Sequence, residues 1–324
     1  MKYGKPSKPP LIKGIYTADP SAHVFDGKIY IYPSHDPDAA GVSTGDANSY
    51  NMVDYHVFSM KSIDGPVTDH GVVLQLADIP WATRQLWAPD AACRNDKCYL
   101  YFPARDQKGV FRIGVAVGDG PAGPFTAESK PIEGSYSIDP AVFIDDDGQA
   151  YMYFGGIWGG ELEKWTDGKY NPSALEPSGN SPSVAPRVAR LSDDMKSFVS
   201  LPREIEIIDD TKQRVKAQSG QRFFEGAWVH KYNDLYYLSY STGDYHQIVY
   251  AIGTSPTGPF RYMGVLLTPV IGWTTHHSIV KVEGKWFLFY HDASLSGGID
   301  HQRCVKMTPL TYRSDGAIEK INPE

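Results

Sequence analysis

Ser137-Ile138-Asp139-Pro140-Ala141-Val142-Phe143-Ile144-Asp145-Asp146-Asp147-Gly148-Gln149-Ala150-Tyr151-Met152-Tyr153-Phe154 decides the fold. A carboxylate leads into an apolar run. An acidic turn ending in Gly follows, then a second apolar run ending in aromatics. This is the pattern of a β-hairpin with a titratable group at its entrance. The acidic turn resembles half of a calcium loop, but no Glu follows at the required spacing, so it reads as a solvated hairpin turn.

The pattern recurs four more times. Copies run from Asp19-Pro20 to Tyr32, from Ala88-Pro89-Asp90 to Tyr101, from Glu225-Gly226 to Tyr240, and from His276-His277 to Tyr290. Asp-Gly, Asn-Asp and Glu-Gly turns fall at matching places. Each hairpin is followed by a strand, a turn and another strand. Ile113–Val117 leading to Gly123-Pro124-Phe125 and Val249–Ile252 leading to Gly258-Pro259-Phe260 are the clearest examples. Weaker copies include Arg303–Met307 before Asp315-Gly316-Ala317-Ile318. No helical periodicity is sustained.

Five units of four strands predict an all-β, five-bladed propeller formed by residues 1–324 as a single domain. A β-sandwich also has many short strands, but it does not require five copies of one hairpin in register. In a closed propeller the five innermost strands surround one axis, so the residues at their entrances converge. Those residues are Asp19, Ala88, Asp139, Glu225 and His276. An Asp before Pro is commonly an ordinary turn residue. Three acids and a histidine meeting by independent accident is harder to accept.

Carboxylates held close together out of water repel, which raises at least one pKa and marks function more often than stability. Acid–base cleavage of a glycosidic bond uses such a set. One carboxylic acid protonates the leaving oxygen and one carboxylate activates water on the opposite face, with a third available to keep the acid protonated. Phe223, Phe224 and Trp228 flank Glu225 and would raise its pKa by desolvation.

Composition bounds the remainder. The chain of 324 residues is 41% hydrophobic, carries net charge −7, and holds 21 Tyr and 7 Trp. The negative charge argues against nucleic acid or an anionic membrane as partner and suits a neutral substrate. Cys93 and Cys98 flank Asn95-Asp96-Lys97 at a hairpin tip and Cys304 is left over. This odd count favours reduced thiols in a reducing compartment. Met1–Pro6 has no apolar run, so a cytoplasmic location is expected.

Three stretches depart from the repeat, at 36–54, 155–186 and 209–222. Loops this long commonly build a site, and they are expected to wall the axial mouth, with Trp158 or Trp165 stacking on a ligand.

The successive entrances, Ala18-Asp19-Pro20-Ser21, Leu86-Trp87-Ala88-Pro89-Asp90, Ser137-Ile138-Asp139-Pro140, Phe224-Glu225-Gly226-Ala227 and Thr275-His276-His277-Ser278, resemble in order the blade motifs of glycoside hydrolase family 43. The resemblance covers essentially the whole chain. It implies an inverting enzyme with Asp19 as general base, Glu225 as general acid and Asp139 as the group that tunes and orients Glu225. Inversion requires the acid and base carboxyls roughly 6.5–9.5 Å apart, to leave room for water. The residues alone leave open which of Asp19 and Asp139 is the base.

The resemblance also implies that His276 binds a central calcium ion completed by water, or hydrogen-bonds the acids. His277 is the fallback ligand. Trp87 and Arg303 resemble family residues near the sugar, and His35 and Asp36, which end the first hairpin, are candidates to contact it. The implied activity is exo release of xylose or L-arabinose from xylo- and arabino-oligosaccharides, with no organic cofactor. An endo-acting arabinanase or xylanase is the alternative within the family, and a non-catalytic carbohydrate-binding propeller the alternative outside it.

Overall fold

The structure is a computed structural model that describes residues 9–37, 50–243 and 246–323. The polar stretch 38–49 and residues Met1–Pro6 lie outside the described residues. Among the described residues there is no α-helix. Helical turns are short, as at Leu76–Asp78 and Trp158–Gly160.

Alternating apolar runs split by Gly- and Asp-containing turns fold as the repeat predicts. The first blade is β1 (Tyr16–Phe25), β2 (Lys28–Asp36), β3 (Asp54–Met60) and β4 (Thr68–Gln75), hydrogen-bonded in that order. The second is β5 (Asp90–Arg94), β6 (Lys97–Arg105), β7 (Phe111–Gly118) and β8 (Thr126–Ala127). The third starts with β9 (Ala141–Ile144) and β10 (Ala150–Phe154). A small hairpin of β11 (Trp165–Thr166) and β12 (Lys169–Tyr170) interrupts it, and β13 (Arg187–Arg190) and β14 (Arg203–Glu204) complete it.

The fourth blade is opened by β15 (Ile207–Ile208), which pairs in parallel with the outer strand as a fifth member. Its four repeat strands are β16 (Phe223–Tyr232), β17 (Leu235–Thr242), β18 (Ile248–Gly253) and β19 (Phe260–Leu267). The last blade departs from the expected four strands. It has β20 (His277–Val282), β21 (Lys285–Asp292) and β22 (Cys304–Leu310), and the predicted fourth strand at Asp315–Ile318 is reduced to a bridge between Tyr312 and Ile318. The N-terminal segment docks on β22 instead, with Leu11 N–H donating to Val305 O (2.8 Å), and Thr17 N–H at the start of β1 donates to the carbonyl of Arg303 just before β22 (2.9 Å). The ring is thus closed by both ends of the chain.

The apolar core lies between blades. One cluster joins Tyr32, Val57 and Val73 to Leu100 and Phe102. Another joins Tyr237 and Tyr250 to Leu288 and Tyr290, and a third closes the ring by packing Ile29, Ile31 and Phe58 on Phe287 and Phe289. The many tyrosines have a specific use here. Tyr32, Tyr101, Tyr153 and Tyr237 stand on the second strand of successive blades, and all are buried. Each hydroxyl donates to a carbonyl in the outer part of the next blade: Pro121 (2.6 Å), Met195 (2.8 Å), Pro256 (2.7 Å) and Gly316 (2.7 Å). A phenol gives each interface a large apolar body and one satisfied polar tip.

The cysteine expectation is corrected. Cys93 and Cys98 form a disulfide with Cα atoms 4.1 Å apart, and only Cys304 is free and buried. The two are directly opposite on β5 and β6, joined by a turn with Asn95 and Asp96 at φ 52° and 58°. A two-residue hairpin of this kind brings facing Cβ atoms within bonding reach. The pairing is local, so the odd total does not constrain it.

Replacing Tyr153 with Phe should lower unfolding free energy by about 1–2 kcal/mol, because the Pro256 carbonyl then loses its donor in a buried interface. Urea titration measures this. Tyr32→Phe, which affects a different blade pair, should add to it almost fully.

Candidate active site

A cavity of about 430 Å³ opens at one end of the axis, and its walls include Asp19, Ala88, Asp139, Glu225 and His276. All five entrances therefore converge as the register requires. The other end of the axis is lined by the far parts of the same five innermost strands, with Ala22, Ala91, Val142, Val229 and Ile279 among them.

Local backbone irregularity aims the three carboxylates. Asp19 and Asp139 adopt φ of 49° and 57°, a region non-glycine residues seldom occupy. The β1–β2 register shifts between Ala18 and Ser21, and the β16–β17 register shifts on both sides of Glu225. Bulges of this kind re-aim side chains beside active sites. Gly226, at φ 68°, follows Glu225, and a Cβ there would stand 3.1 Å from the His276 ring. Here glycine is required both for its backbone and for its lack of a side chain.

Asp19 is held from several sides. Ser34 Oγ donates to its Oδ2 (2.6 Å), and Arg303 Nη1 donates to its Oδ1 (3.1 Å). His276 Nδ1 lies 3.5 Å from the same oxygen. His291 Nδ1 is also near, at 3.2 Å, but it accepts the Asp19 N–H at 3.0 Å. One nitrogen cannot both accept and donate. With burial lowering the His291 pKa and its Nε2 beside the Thr274 carbonyl (3.1 Å), His291 is a neutral acceptor at Nδ1. Burial pushes the Asp19 pKa up, but Arg303, helped by His276, outweighs it and holds the carboxyl well below the usual range. Asp19 is a carboxylate at any ordinary pH.

The other two acids go the opposite way. Burial raises Asp139, and the Asp19 charge adds to this against the pull of His276 and of the Gly226 N–H donated to its Oδ2 (3.2 Å), leaving it at about 7. Burial raises Glu225 well above the carboxylate range, and Asp139 raises it further. Burial alone would lower His276, yet Asp139 and Asp19 bring it to about 9. The cavity therefore holds one firmly ionised carboxylate and one carboxylic acid kept protonated. Groups with pKa values driven apart in this way can serve as an acid and a base.

The Glycosyl hydrolases family 43 model matches residues 8–318. The chain belongs to glycoside hydrolase family 43. It is 58% identical to the Xylosidase/arabinosidase 43A of Humicola insolens, over 97% of this chain and 99% of that one. A Beta-xylosidase of Xylanibacter ruminicola is 48% identical, over 94% and 97%. The crystal structure of a family 43 β-xylosidase/α-arabinofuranosidase from a compost metagenome, complexed with xylotriose in a calcium-free form, superposes with a TM-score of 0.95. It is 60% identical, over 99% of this chain and 98% of that one.

The remaining sequence-predicted residues of this glycoside hydrolase divide. Trp87 and Arg303 line the cavity. Asp36 does not. It is fully buried beneath Arg303, accepting from Nε (2.8 Å), Nη2 (2.7 Å) and the backbone N–H (2.9 Å). A residue enclosed in this way positions Arg303 and is out of a sugar's reach. His35 lies outside the cavity lining, its Nδ1 2.5 Å from Asp54. His277 is buried and turned to Ser239 (2.6 Å), away from His276, as alternation along a strand dictates.

Of the departing stretches, 155–186 contributes Ile157, Trp158 and Gly159 to the wall, while 36–54 contributes Tyr50 and Met52. None of 209–222 lines the cavity. Trp165 is corrected: it is a core residue stacked on Tyr136, with centroids 4.5 Å apart. Sequence reasoning missed Trp273, Thr274, Asp300 and His291. His291 alone left a trace, since His291-Asp292 ends the last hairpin as His35-Asp36 ends the first.

The pH profile of kcat/KM should fall as pH rises through the elevated Glu225 pKa. Asp139→Asn removes a negative charge that raises this pKa, so the alkaline limb should move to lower pH. Arg303→Gln removes the cation that depresses Asp19, so the acid limb should move to higher pH. Limbs that stay put in both variants would refute these assignments.

Proposed function

We propose that this enzyme is an inverting exo-glycosidase that removes terminal xylose or L-arabinose from hemicellulose oligosaccharides, acting as a β-xylosidase and α-L-arabinofuranosidase. The observation that carries this reading is the pairing, in one cavity, of an ionised Asp19 pinned by Arg303 with a Glu225 held protonated by burial and by Asp139. The activities named for its relatives at 48–58% identity support the sugar class.

In the forward step Glu225 gives its proton to the glycosidic oxygen, and the bond from that oxygen to the anomeric carbon breaks. Asp19 takes a proton from water, whose oxygen bonds to the anomeric carbon from the opposite face. The released sugar has inverted configuration, Glu225 is left ionised and Asp19 protonated, and exchange with solvent restores both. Asp139 moves no proton. It accepts the Gly226 N–H next to Glu225 and supplies the charge that keeps Glu225 protonated until a leaving oxygen needs it.

The walls suit a terminal sugar. The cavity of about 430 Å³ is lined from all five blades, which suits enclosure of a terminal sugar. At its rim Trp158 and Trp273 stack with centroids 6.3 Å apart and are 45% and 39% exposed. Exposed aromatic faces of this kind carry the C–H faces of a following sugar.

Calcium is the further part of the proposal. His276 Nδ1 faces Asp19 (3.5 Å) and Asp139 (3.9 Å), which leaves Nε2 as the ligand atom. The ionised Asp19 makes the axis attractive to a cation, and ligation through Nε2 would require His276 to give up the proton that its acidic neighbours otherwise favour. Hard Ca²⁺ prefers oxygen, so the residues fit an ion held by one imidazole nitrogen and otherwise by water. Bound there, it would supply positive charge that relieves repulsion within the carboxylate cluster.

Glu225→Gln should reduce kcat on xylobiose by roughly 10²–10⁴-fold, and less on 4-nitrophenyl xyloside, whose leaving group needs little protonation. NMR of the first anomer released from the wild-type reaction checks the stereochemistry, and a retained configuration would exclude the mechanism. Chelation should lower wild-type kcat/KM, with added calcium restoring it. His276→Gln should respond to neither, and a His276→Gln enzyme as sensitive as wild type would place any metal elsewhere.

A further inference from the structure

A second cluster of metal-binding side chains lies outside the cavity, on the first blade. The β2–β3 register pairs Ile29 with Met60, Tyr30 with Ser59 and Ile31 with Phe58. Carried on, the same register brings His35 opposite Asp54. Asp54 and His56 are two apart on one strand and so share a face. Each of His35, Asp54 and His56 offers one ligand atom, and these atoms all lie within 4.8 Å of one another. The His35 and His56 rings meet edge-on with centroids 5.0 Å apart. Side-chain exposures of 22%, 20% and 14% leave the group partly dry and still reachable from solvent.

A fourth residue supports the arrangement from outside. His56 Nδ1 lies 3.1 and 3.2 Å from the two carboxylate oxygens of Asp69. Asp69 is itself fixed by the Gly71 N–H (2.7 Å). A carboxylate on one ring nitrogen sets the tautomer and presents the other nitrogen, which is how histidine ligands are commonly oriented toward a metal. Two ligands each bound to zinc at about 2.0–2.2 Å stand about 3.4 Å apart at the tetrahedral angle. His35 Nδ1 and Asp54 Oδ1, now 2.5 Å apart, would open by about an ångström to share an ion, and no pair, all being within 4.8 Å, would need to close by more than about 1.4 Å.

We propose that His35, Asp54 and His56 form a three-ligand site for a zinc-class divalent ion, with Asp69 orienting His56. Two imidazoles and one carboxylate suit zinc and its transition-metal neighbours, and suit calcium poorly. The site is separate from His276 and does not depend on the glycosidase reading. Its place in the fold gives it a role. His35 adjoins Asp36, which holds Arg303, and residues 37–53 leave from β2 and return at Asp54. Tyr50 and Met52, which line the cavity, belong to that connection. The ion braces the two strand ends from which the connection departs.

The test uses full-length protein freed of metal by chelation and dialysis, then titrated calorimetrically with zinc chloride, with Co²⁺ absorption as a second probe. Wild type should bind one zinc ion at this site, develop the visible absorption of imidazole-ligated Co²⁺, and melt at a temperature that rises with zinc concentration. His56→Gln and Asp54→Asn should each weaken this binding at least tenfold and abolish the thermal shift. Asp69→Asn should weaken it by roughly 10–100-fold. Asp69 is exposed enough for that variant to carry the test if the ligand variants fail to fold. His276→Gln should leave zinc affinity at this site unchanged. Zinc binding of equal affinity in wild type, His56→Gln and Asp69→Asn would overturn the proposal, as would no binding to wild type at millimolar zinc.

Discussion

The Arg303 guanidinium ties the site together. It forms a two-pronged ion pair with the buried Asp36, places Nη1 on Asp19, and lies over the Tyr50 ring at 5.2 Å. Burying one ion alone is expensive, and burying several is tolerable only when each finds opposite charge and filled hydrogen bonds. Asp36 meets that condition on one side of the cation, which leaves Nη1 to fix the charge and orientation of Asp19. The acid–base asymmetry follows from where this single cation stands. Asp19 has it in contact, whereas Asp139 and Glu225 feel it only at a distance and are governed by desolvation and by each other.

Backbone strain accompanies the charge arrangement. Asp19 and Asp139 both sit in the left-handed region at the heads of innermost strands. Conformations of that kind cost about 1–3 kcal/mol each and persist where surrounding structure imposes them. Here Asp19 is fixed by Ser34, Arg303 and the bond from its own N–H to His291, and Asp139 by the Gly226 N–H. The interfaces between blades stabilise the propeller and offset what is lost at the axis, where carboxylates stand close together on bent strands.

The periodic part of the molecule was legible in the sequence, because a repeat turns position into geometry. Five hairpins aligned on their turns placed Asp19, Ala88, Asp139, Glu225 and His276 around one mouth, and the structure puts all five in one cavity wall. What broke the repeat was harder to read. Arg303 meets Asp36 and Asp19 across separations of 267 and 284 residues, and no spacing rule connects them. Trp273 precedes the last innermost strand and Asp300 lies between β21 and β22, in connections whose length and sequence differ from blade to blade. Trp158 and Trp165 look equivalent in an insertion rich in Gly and Pro, yet one reaches the rim and the other is buried on Tyr136. The cysteines were misjudged by weighing their number above their placement across a two-residue turn.

Closure of the ring by both chain ends has a consequence for biosynthesis. Asp19 is translated 284 residues before Arg303, the cation that holds it ionised. Until then Asp19 lacks its fixed partner, the first blade lacks the strand edge on which Leu11 and Thr17 dock, and the cavity has an open side. A nascent chain that has not yet reached Arg303 therefore holds Asp19 without that cation. The site is complete only once the last blade meets the first and Arg303 reaches Asp19.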